Sequence, residues 1–278
     1  MAQKVNDDYP GKAPVMTDKQ LKELATAQYN TDAAEETLVF DFPTEIIQLP
    51  SKGKLYPKGH PLSKGTIEMK YMTAKEEDIL TNQSFINNGV VLDKLFKALI
   101  VTPVEYNDLL LCDKNAVMIA ARILGYGPKY KFEYNGEEEE VDLSKIDNKK
   151  IDKKLFTPGN NEFSFVLPHS KNKITFKMMT HRDEQKINKE IEGLQKLNKD
   201  ANPVVSTRLK FQIISVNGDS DPPTIRSFVD KALLAQDSRA FRKHISDIQP
   251  DIDLTFFPRG TKDSRPIPIS LRFFWPDV

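Results

Sequence analysis

Apolar residues recur along this chain with two different spacings, and the spacing changes several times. Residues 66–71 alternate apolar and polar side chains, as expected for a strand with one buried face. Residues 90–101 instead place Leu92, Leu95, Phe96 and Leu99 at helical spacing. The mixture predicts an α+β fold, a helical cluster with small antiparallel hairpins arranged in two lobes.

Local capping and turn signals mark several element ends. Thr73 and Glu76 have the spacing of a capping box, which predicts a helix from there to about residue 83. Asn135 and Gly136 suit the two positive-φ positions of a type I′ turn and predict a hairpin around them. Gly125 suits the left-handed position that ends a helix, so we expect helices over residues 106–124 to stop there.

The chain divides into three predicted segments. Residues 1–36 are polar, and we expect a flexible N-terminal tail that orders on contact with a partner; a solvated tail without a role is the alternative. Residues 37–157 form a predicted N-terminal α+β lobe, and residues 158–278 form a C-terminal α+β lobe that ends in a β-hairpin. The boundary is placed at the turn-forming residues 157–159.

The predicted C-terminal lobe begins with a hairpin over residues 162–179 and a helix that starts at Thr180. Residues 207–216 fit either a helix or a strand. Two helices should follow, one over residues 224–235 and one to residue 248 that Asp237 or Ser238 caps. The final hairpin pairs residues 253–257 with residues 267–274.

Composition argues against several classes of protein. Forty Lys and Arg residues balance forty Asp and Glu residues, so a general nucleic-acid binder is not expected. The single cysteine, Cys112, excludes an intramolecular disulfide and a cysteine-based zinc site, and it fits a reducing compartment. No apolar run approaches the ~18 residues of a transmembrane helix. The first residues lack the apolar stretch of a signal peptide.

Motifs for catalysis or ligand binding are weak. The four histidines show no zinc spacing among themselves, and His181 with Glu184 fits a helix start better than a metal site. Neither a nucleophile elbow nor a phosphate-binding glycine loop is present. The glutamates at 137–140 lack the spacing of a calcium loop and fit a charged edge strand. We therefore predict no catalytic residue, no cofactor and no metal, and a protein that is not an enzyme.

Besides the tail over residues 1–36, two surfaces are candidates for binding a partner. Their residues are Lys52, Lys54, Tyr56, Lys58, Phe273, Phe274 and Trp275. The first lies in the loop over residues 49–61, where prolines and glycines predict a defined shape and lysines suit an acidic partner; a solvated turn is the alternative. The second is the aromatic run near the C-terminus. Neighbouring strand residues face opposite sides, so one side is free to anchor a partner unless the run packs wholly into the core.

Several short segments, in order along the chain, resemble one known family. They are residues 49–57, 69–80, 92–95, 107–110, 113–117, 120–127, 180–184, 237–240 and 273–276. Together they resemble the baseplate hub protein family of T-even-type contractile-tailed bacteriophages. Relatives can carry a Cys-x-x-Cys-like pair in the last hairpin. Residues 257–260 are Phe-Pro-Arg-Gly here, which argues against a zinc ribbon in this chain.

The resemblance implies a non-enzymatic structural or assembly protein of the phage tail baseplate hub that acts by protein–protein recognition. Expected partners are other baseplate hub and tail proteins, the tape-measure protein among them, in an oligomeric baseplate without nucleic acid or membrane. The expected location is the virion tail baseplate, and the host cytoplasm during assembly. The alternative is a tail-assembly chaperone that binds the tape-measure protein and is absent from the mature virion. A cell-wall hydrolase that uses His169, His181 and Glu184 is a third hypothesis.

Overall fold

Short helices and short strands alternate along the chain in the computed structural model, which describes residues 42–200, 202–269 and 273–275. The helices are α1 (Ala74–Thr81), α2 (Gln83–Asn87), α3 (Val91–Leu99), α4 (Leu111–Tyr126), α5 (His181–Leu197), α6 (Val204–Gln212), α7 (Pro222–Lys231) and α8 (Ala235–Ile248). Single 3-10 turns cover Pro61–Lys64, Tyr106–Asp108, Leu143–Lys145 and Lys153–Leu155. The predicted α+β fold is confirmed, and the predicted tail over residues 1–36 lies outside the described residues.

The strands pair only in small antiparallel sheets within the described ranges. They are β1 (Thr44–Gln48), β2 (Thr66–Lys70), β3 (Lys129–Tyr134), β4 (Glu137–Asp142), β5 (Phe163–Val166), β6 (Lys173–Phe176), β7 (Ile213–Val216), β8 (Thr255–Phe256) and β9 (Arg265–Pro266). The pairs are β1–β2, β3–β4 and β8–β9, and β5–β6–β7 form a three-stranded sheet. In the first pair Ile47 lies opposite Ile67, which directs both side chains towards the core.

The predicted local signals produce the expected geometry in three places. The Glu76 carboxylate accepts hydrogen bonds from the Thr73 backbone N–H and hydroxyl, at 3.1 and 2.5 Å, and α1 begins there. A second capping box at Thr180 begins α5 in the same way. Asn135 and Gly136 have φ values of 53° and 83° and join β3 to β4, as a type I′ turn requires.

The predicted helix end at Gly125 is wrong. Helix α4 continues to Tyr126, and Gly127 ends it with a φ of 81°. Gly125 has a different role, because a Cβ atom there would lie 2.8 Å from Cε of Met72. The glycine therefore allows the Met72 side chain to approach the helix closely.

The C-terminal part shows three further differences from the sequence-based predictions. Residues 207–216 are divided between α6 and β7, and β7 joins the predicted β5–β6 hairpin as a third strand. Asp237 does not cap α8; its carboxylate accepts backbone N–H bonds from His169 and Ser170, at 2.8 and 2.9 Å, and holds the β5–β6 turn. In the final hairpin β8 pairs with Arg265–Pro266, which precedes the return strand expected from residue 267.

The hydrophobic core is continuous across the predicted lobe boundary. Residues from Phe42 onward belong to one compact unit, and the boundary between residues 157 and 158 falls inside it. Phe156 and Phe163, on either side of that boundary, place their ring centroids 5.8 Å apart. The backbone N–H of His181 also donates to the Leu109 carbonyl, at 2.8 Å. The two predicted lobes therefore share a single core. Of the helices described, none has both the length and the apolar character needed to span a membrane.

Candidate functional site

A buried hydrogen-bond network fixes the shape of the loop over residues 49–61. The Asp113 carboxylate lies in the first turn of α4 and is fully buried. It accepts hydrogen bonds from the Ser51 backbone N–H and hydroxyl, at 2.9 and 2.7 Å, and from the Tyr56 hydroxyl at 2.8 Å. The Tyr56 oxygen in turn accepts from the Leu110 N–H, at 3.1 Å. The loop is thus pinned to the start of α4 by contacts about 60 residues apart in sequence.

The electrostatics of this network follow from its burial. Burial raises the pKa of Asp113, although the hydrogen bonds from Ser51 and Tyr56 lower it in part. Burial also raises the pKa of the Tyr56 hydroxyl, and the nearby Asp113 carboxylate adds to the effect. These buried hydrogen bonds hold the loop in one conformation. It also makes Tyr56 a structural residue, because its side chain is buried by its own chain and cannot contact a partner.

The backbone of the same loop needs glycine at one point. Gly53 has a φ of 73°, and a Cβ atom there would lie 2.4 Å from the Ser63 carbonyl oxygen. This close approach packs the loop backbone against the 3-10 turn at Pro61–Lys64. Lys52 is exposed and Lys54 is half-buried. The sequence prediction of a shaped loop agrees with this geometry.

Lys52 and Lys54 line a cleft of about 450 Å³ between this loop and the segment over residues 147–151. The opposite wall supplies Lys149 and Lys150, so four lysines and one acidic residue, Asp147, line the cleft. Its apolar floor includes the buried ring of Phe156. We call this feature the basic cleft, and its charge makes it a local exception in a chain of zero net charge.

The opposite wall of the basic cleft is held by backbone contacts to residues 251–253. The Lys149 N–H donates to the Asp251 carbonyl, and the Asp253 N–H donates to the Asp147 carbonyl. The Lys149 ammonium also donates to the Ser246 carbonyl near the end of α8, while Lys150 is exposed. Sequence reasoning missed Lys149 and Lys150, because a lysine-rich run does not indicate which distant loop it will face.

The other predicted partner-binding residues lie elsewhere. Lys58 is exposed but does not line the basic cleft; its Cγ would lie 3.3 Å from a Cβ atom at Gly159. Phe273 and Phe274 are buried in the core, with the Phe273 ring centroid 4.9 Å from that of Tyr130. The half-buried Trp275 donates its indole N–H to the Leu80 carbonyl, at 3.1 Å.

The aromatic run therefore corrects the sequence-based expectation for two of its residues. The rings of Phe273 and Phe274 pack against other aromatic side chains of the same chain, so neither is available to anchor a partner. For both residues the structure agrees with the alternative given above, in which the C-terminal run packs into the core. Residues 270–272 and 276–278 lie outside the described part.

A second polar cluster joins α3, α4 and α5. The Asp93 carboxylate contacts the Lys114 ammonium at 2.9 Å and His181 Nε2 at 3.3 Å, and it accepts from the Tyr106 hydroxyl at 2.8 Å. Glu184 lies 3.4 Å from Lys114 and 3.6 Å from His181 Nδ1. No hydroxyl or thiol nucleophile bonds to His181 among the contacts of the described residues, so the cluster is best described as an ion network that holds three helices.

The ionised groups of this cluster stabilise one another. Burial opposes ionisation of Asp93, but His181 and Lys114 hold the pKa of its carboxyl well below the ordinary value. Hydrogen bonding to His181 likewise lowers the pKa of Glu184. Burial lowers the pKa of His181, and the hydrogen bonds to Asp93 and Glu184 outweigh this and raise it overall.

The acidic run on β4 is used within the chain. Glu138 pairs with Lys131 and Glu140 with Lys129, and both pairs cross the β3–β4 hairpin. Glu139 is buried and accepts a hydrogen bond from the Arg259 backbone N–H, at 3.0 Å. Across the described ranges, no group of three or more His, Cys, Asp or Glu side chains has an arrangement that could hold a metal ion.

Comparisons of the chain with protein-family models, with curated proteins and with solved structures found no match. The resemblance to baseplate hub proteins therefore depends on the sequence segments described above.

Proposed function

We propose that this protein acts by protein–protein recognition and that the basic cleft binds an acidic segment of a partner. The observation that carries the proposal is the convergence of Lys52 and Lys54 with Lys149 and Lys150 on one cleft. These pairs of lysines are almost 100 residues apart, so the fold itself builds the basic surface. A cluster of like charges in a cleft attracts an oppositely charged ligand and speeds its association.

The rigid loop supports the same proposal. Binding costs conformational entropy when a surface must become ordered, at about 0.5–1.5 kcal/mol for each immobilised side chain. The Ser51–Tyr56–Asp113 network already fixes the backbone that presents Lys52 and Lys54. Individual exposed ion pairs contribute only about 0.2–1 kcal/mol, so recognition requires several lysines together with an ordered scaffold.

The resemblance supplies the biological setting. We propose a non-enzymatic structural or assembly protein of the phage tail baseplate hub, with other baseplate and tail proteins as partners, in the virion tail and in the host cytoplasm during assembly. The alternative, a chaperone for the tape-measure protein that is absent from the mature virion, uses the same kind of recognition. The presence or absence of the chain in purified particles distinguishes the two.

Charge reversal tests the basic cleft directly. The double variant Lys52→Glu/Lys150→Glu reverses one charge on each wall, and Lys58→Glu makes the same change at an exposed lysine outside the cleft. We expect the double variant to lose co-purification with tail proteins from infected-cell lysate while Lys58→Glu retains it. Equal co-purification by the parent and the double variant would refute the role of the cleft.

A further inference from the structure

Strand β1 has an open edge within the described part of the chain. It pairs with β2 alone, and this sheet has no third described strand. The Leu49 N–H donates to the Gly65 carbonyl and the Tyr71 N–H to the Pro43 carbonyl, so the odd-numbered residues of β1 face β2. By the alternation of an antiparallel ladder, the N–H and C=O groups of Thr44, Ile46 and Gln48 point to the other edge. These groups are a template for one more strand.

An apolar groove of about 400 Å³ lies beside this open edge. Residues 45–48 form one wall. Apart from Tyr71, which directly follows β2, the described lining comes from α4 and from residues 143–148 and 252, so most of the groove lies on the side that β2 does not occupy. The floor comes from α4 through Ile119 and Ile123, and the opposite wall includes Ile146 and Ile252. An extended chain placed against β1 would direct alternate side chains into this floor.

The apolar groove adjoins the basic cleft. One wall runs along the chain from β1 at Gln48 to Lys52 and Lys54, and the other runs from Leu143 to Phe156. Asn148 lines both cavities and marks the point where they meet. Together they form a channel that is apolar at one end and basic at the other. We call it the β1 channel.

We propose that the β1 channel binds an extended segment of a partner protein, which adds to β1 as an antiparallel strand. The segment places alternate apolar side chains in the groove and acidic side chains in the basic cleft. Since β1 runs from the apolar end towards the basic end, an antiparallel partner carries its acidic residues first and its apolar residues after them. The acidic half rests on the proposed function of the basic cleft, whereas the strand addition rests on the open edge and the groove.

Strand addition supplies affinity through main-chain hydrogen bonds, and pockets for alternate side chains supply specificity. The charge order of the channel adds direction, because a reversed segment would place carboxylates in the apolar groove at a desolvation cost. The two ends of the β1 channel therefore define one occupant. It is a segment with acidic residues at its N-terminal end, followed by apolar residues that form a strand.

Labelled synthetic peptides test the proposal on the full-length protein by fluorescence anisotropy. The main probe is Glu-Glu-Asp-Gly-Thr-Val-Thr-Ile-Thr-Val, and a second probe has the acidic block at the other end. We expect the main probe to bind. The affinity of the reordered probe should be lower by about tenfold or more, since its carboxylates meet the apolar end. Failure of the main probe to bind, or equal binding of both probes, would overturn the proposal.

Two N-methylated forms of the main probe isolate strand addition without altering the protein. In each form every second backbone nitrogen is methylated, and the two forms carry the methyl groups at alternate positions. In a bound strand one of these two sets of nitrogens points towards β1 and the other points away from it. Loss of one or two main-chain hydrogen bonds should weaken one form about tenfold and leave the other nearly unchanged. If both forms bind like the parent probe, the segment does not add as a strand, and this part of the proposal is wrong.

Protein variants separate this proposal from the proposed function. Ile46→Pro removes an N–H from the open edge and keeps the bonds to β2, and Ile46→Thr is the matched control. We expect Ile46→Pro and Lys52→Glu/Lys150→Glu each to weaken probe binding, and Ile46→Thr to retain it. An effect of the lysine variant alone would overturn strand addition and leave the basic cleft intact. An effect of Ile46→Pro alone would overturn acidic recognition and leave strand addition intact.

Amide exchange measured by NMR shows whether the edge of β1 is open in the free protein and covered when the probe binds. We expect the Ile46 N–H to exchange rapidly without a ligand and more slowly when the main probe is added, while the Ile47 N–H, directed at β2, is protected in both states. Slow exchange at Ile46 in the free monomer would mean that the chain itself fills the channel, and the partner would then be excluded.

Discussion

The Tyr56 hydroxyl donates a hydrogen bond of 2.8 Å to the fully buried Asp113 carboxylate, and this contact ties the cleft-forming loop to α4. The same oxygen accepts the Leu110 N–H, so its removal leaves a buried donor and a buried acceptor each with one bond fewer. The loop that presents Lys52 and Lys54 therefore depends on a hydroxyl that faces away from solvent.

Tyr56→Phe should destabilise the protein by about 1–3 kcal/mol, because buried polar groups lose a partner without a change in volume. Urea unfolding measures the change in free energy of unfolding. Tyr71→Phe is the matched control, since the Tyr71 hydroxyl makes a solvent-exposed bond to Glu45. A loss of stability as large in Tyr71→Phe as in Tyr56→Phe would contradict the importance of the buried network.

Gly53→Ala should lower the free energy of unfolding considerably more than Gly59→Ala in the same loop. Both glycines have positive φ, which costs alanine roughly 1–2 kcal/mol. Only at Gly53 does the added Cβ also meet backbone, at 2.4 Å from the Ser63 oxygen, and overpacking of this kind adds about 1–3 kcal/mol. At Gly59 nothing lies within 4 Å of the added atom. Equal unfolding midpoints for the two variants would show that the loop does not need the close approach.

Phe273→Ala should lower the free energy of unfolding by about 3–5 kcal/mol, as expected when a fully buried aromatic ring is removed. Phe257→Ala is the control, because that ring is 67% exposed. Thermal or urea unfolding checks both variants. A Phe273→Ala protein of unchanged stability would mean that the ring is not part of the core, and its role as a partner-binding residue would need to be reconsidered.

His181 should make stability fall as the pH rises above neutrality. Its pKa in the folded state lies above the unfolded value of about 6.5, so its contribution is fully present below that value and is lost as the pH rises through the folded pKa. The difference in stability between the parent and His181→Gln should therefore shrink as the pH rises from about 6.5 through the folded pKa.

His244 provides a control of opposite sign for the same experiment. Burial lowers its pKa, so its contribution is present above the unfolded pKa and is lost as the pH falls. The stability difference between the parent and His244→Gln should therefore grow as the pH rises towards about 6.5 and change little above it, where the His181 difference shrinks. Parallel slopes for the two variants would contradict the charge network around His181.

Much of the local structure could be predicted because it depends on neighbouring residues. The capping boxes at Thr73 and Thr180 and the turn at Asn135–Gly136 each satisfy backbone groups within a few residues, and the sequence shows those partners directly. In the sequence, Gly125 and Gly127 are equally suitable for ending a helix. Met72 packs over the first and the helix ends at the second, which no local pattern reveals.

The candidate site could be predicted only in part. The loop with Lys52 and Lys54 was recognisable from its lysines, prolines and glycines, but its partner wall at Lys149 and Lys150 comes from a distant segment. The sequence places Tyr56 at a surface because it lies in the lysine-rich loop, and Phe273 because aromatic residues often anchor partners. The buried acceptor Asp113 and the ring of Tyr130 instead draw them into the core. Long-range pairing of this kind is set by the whole fold.

Carbodiimide cross-linking of purified tail particles and tail-assembly intermediates, followed by mass spectrometry, tests the central claim most directly. The reagent joins a lysine amine to a carboxylate only when the two groups are in contact. We expect Lys52, Lys54 and Lys150 to be linked to aspartate or glutamate residues of another tail protein, in preference to Lys58. Absence of the chain from both preparations, or links from Lys58 without any from the basic cleft, would contradict the account.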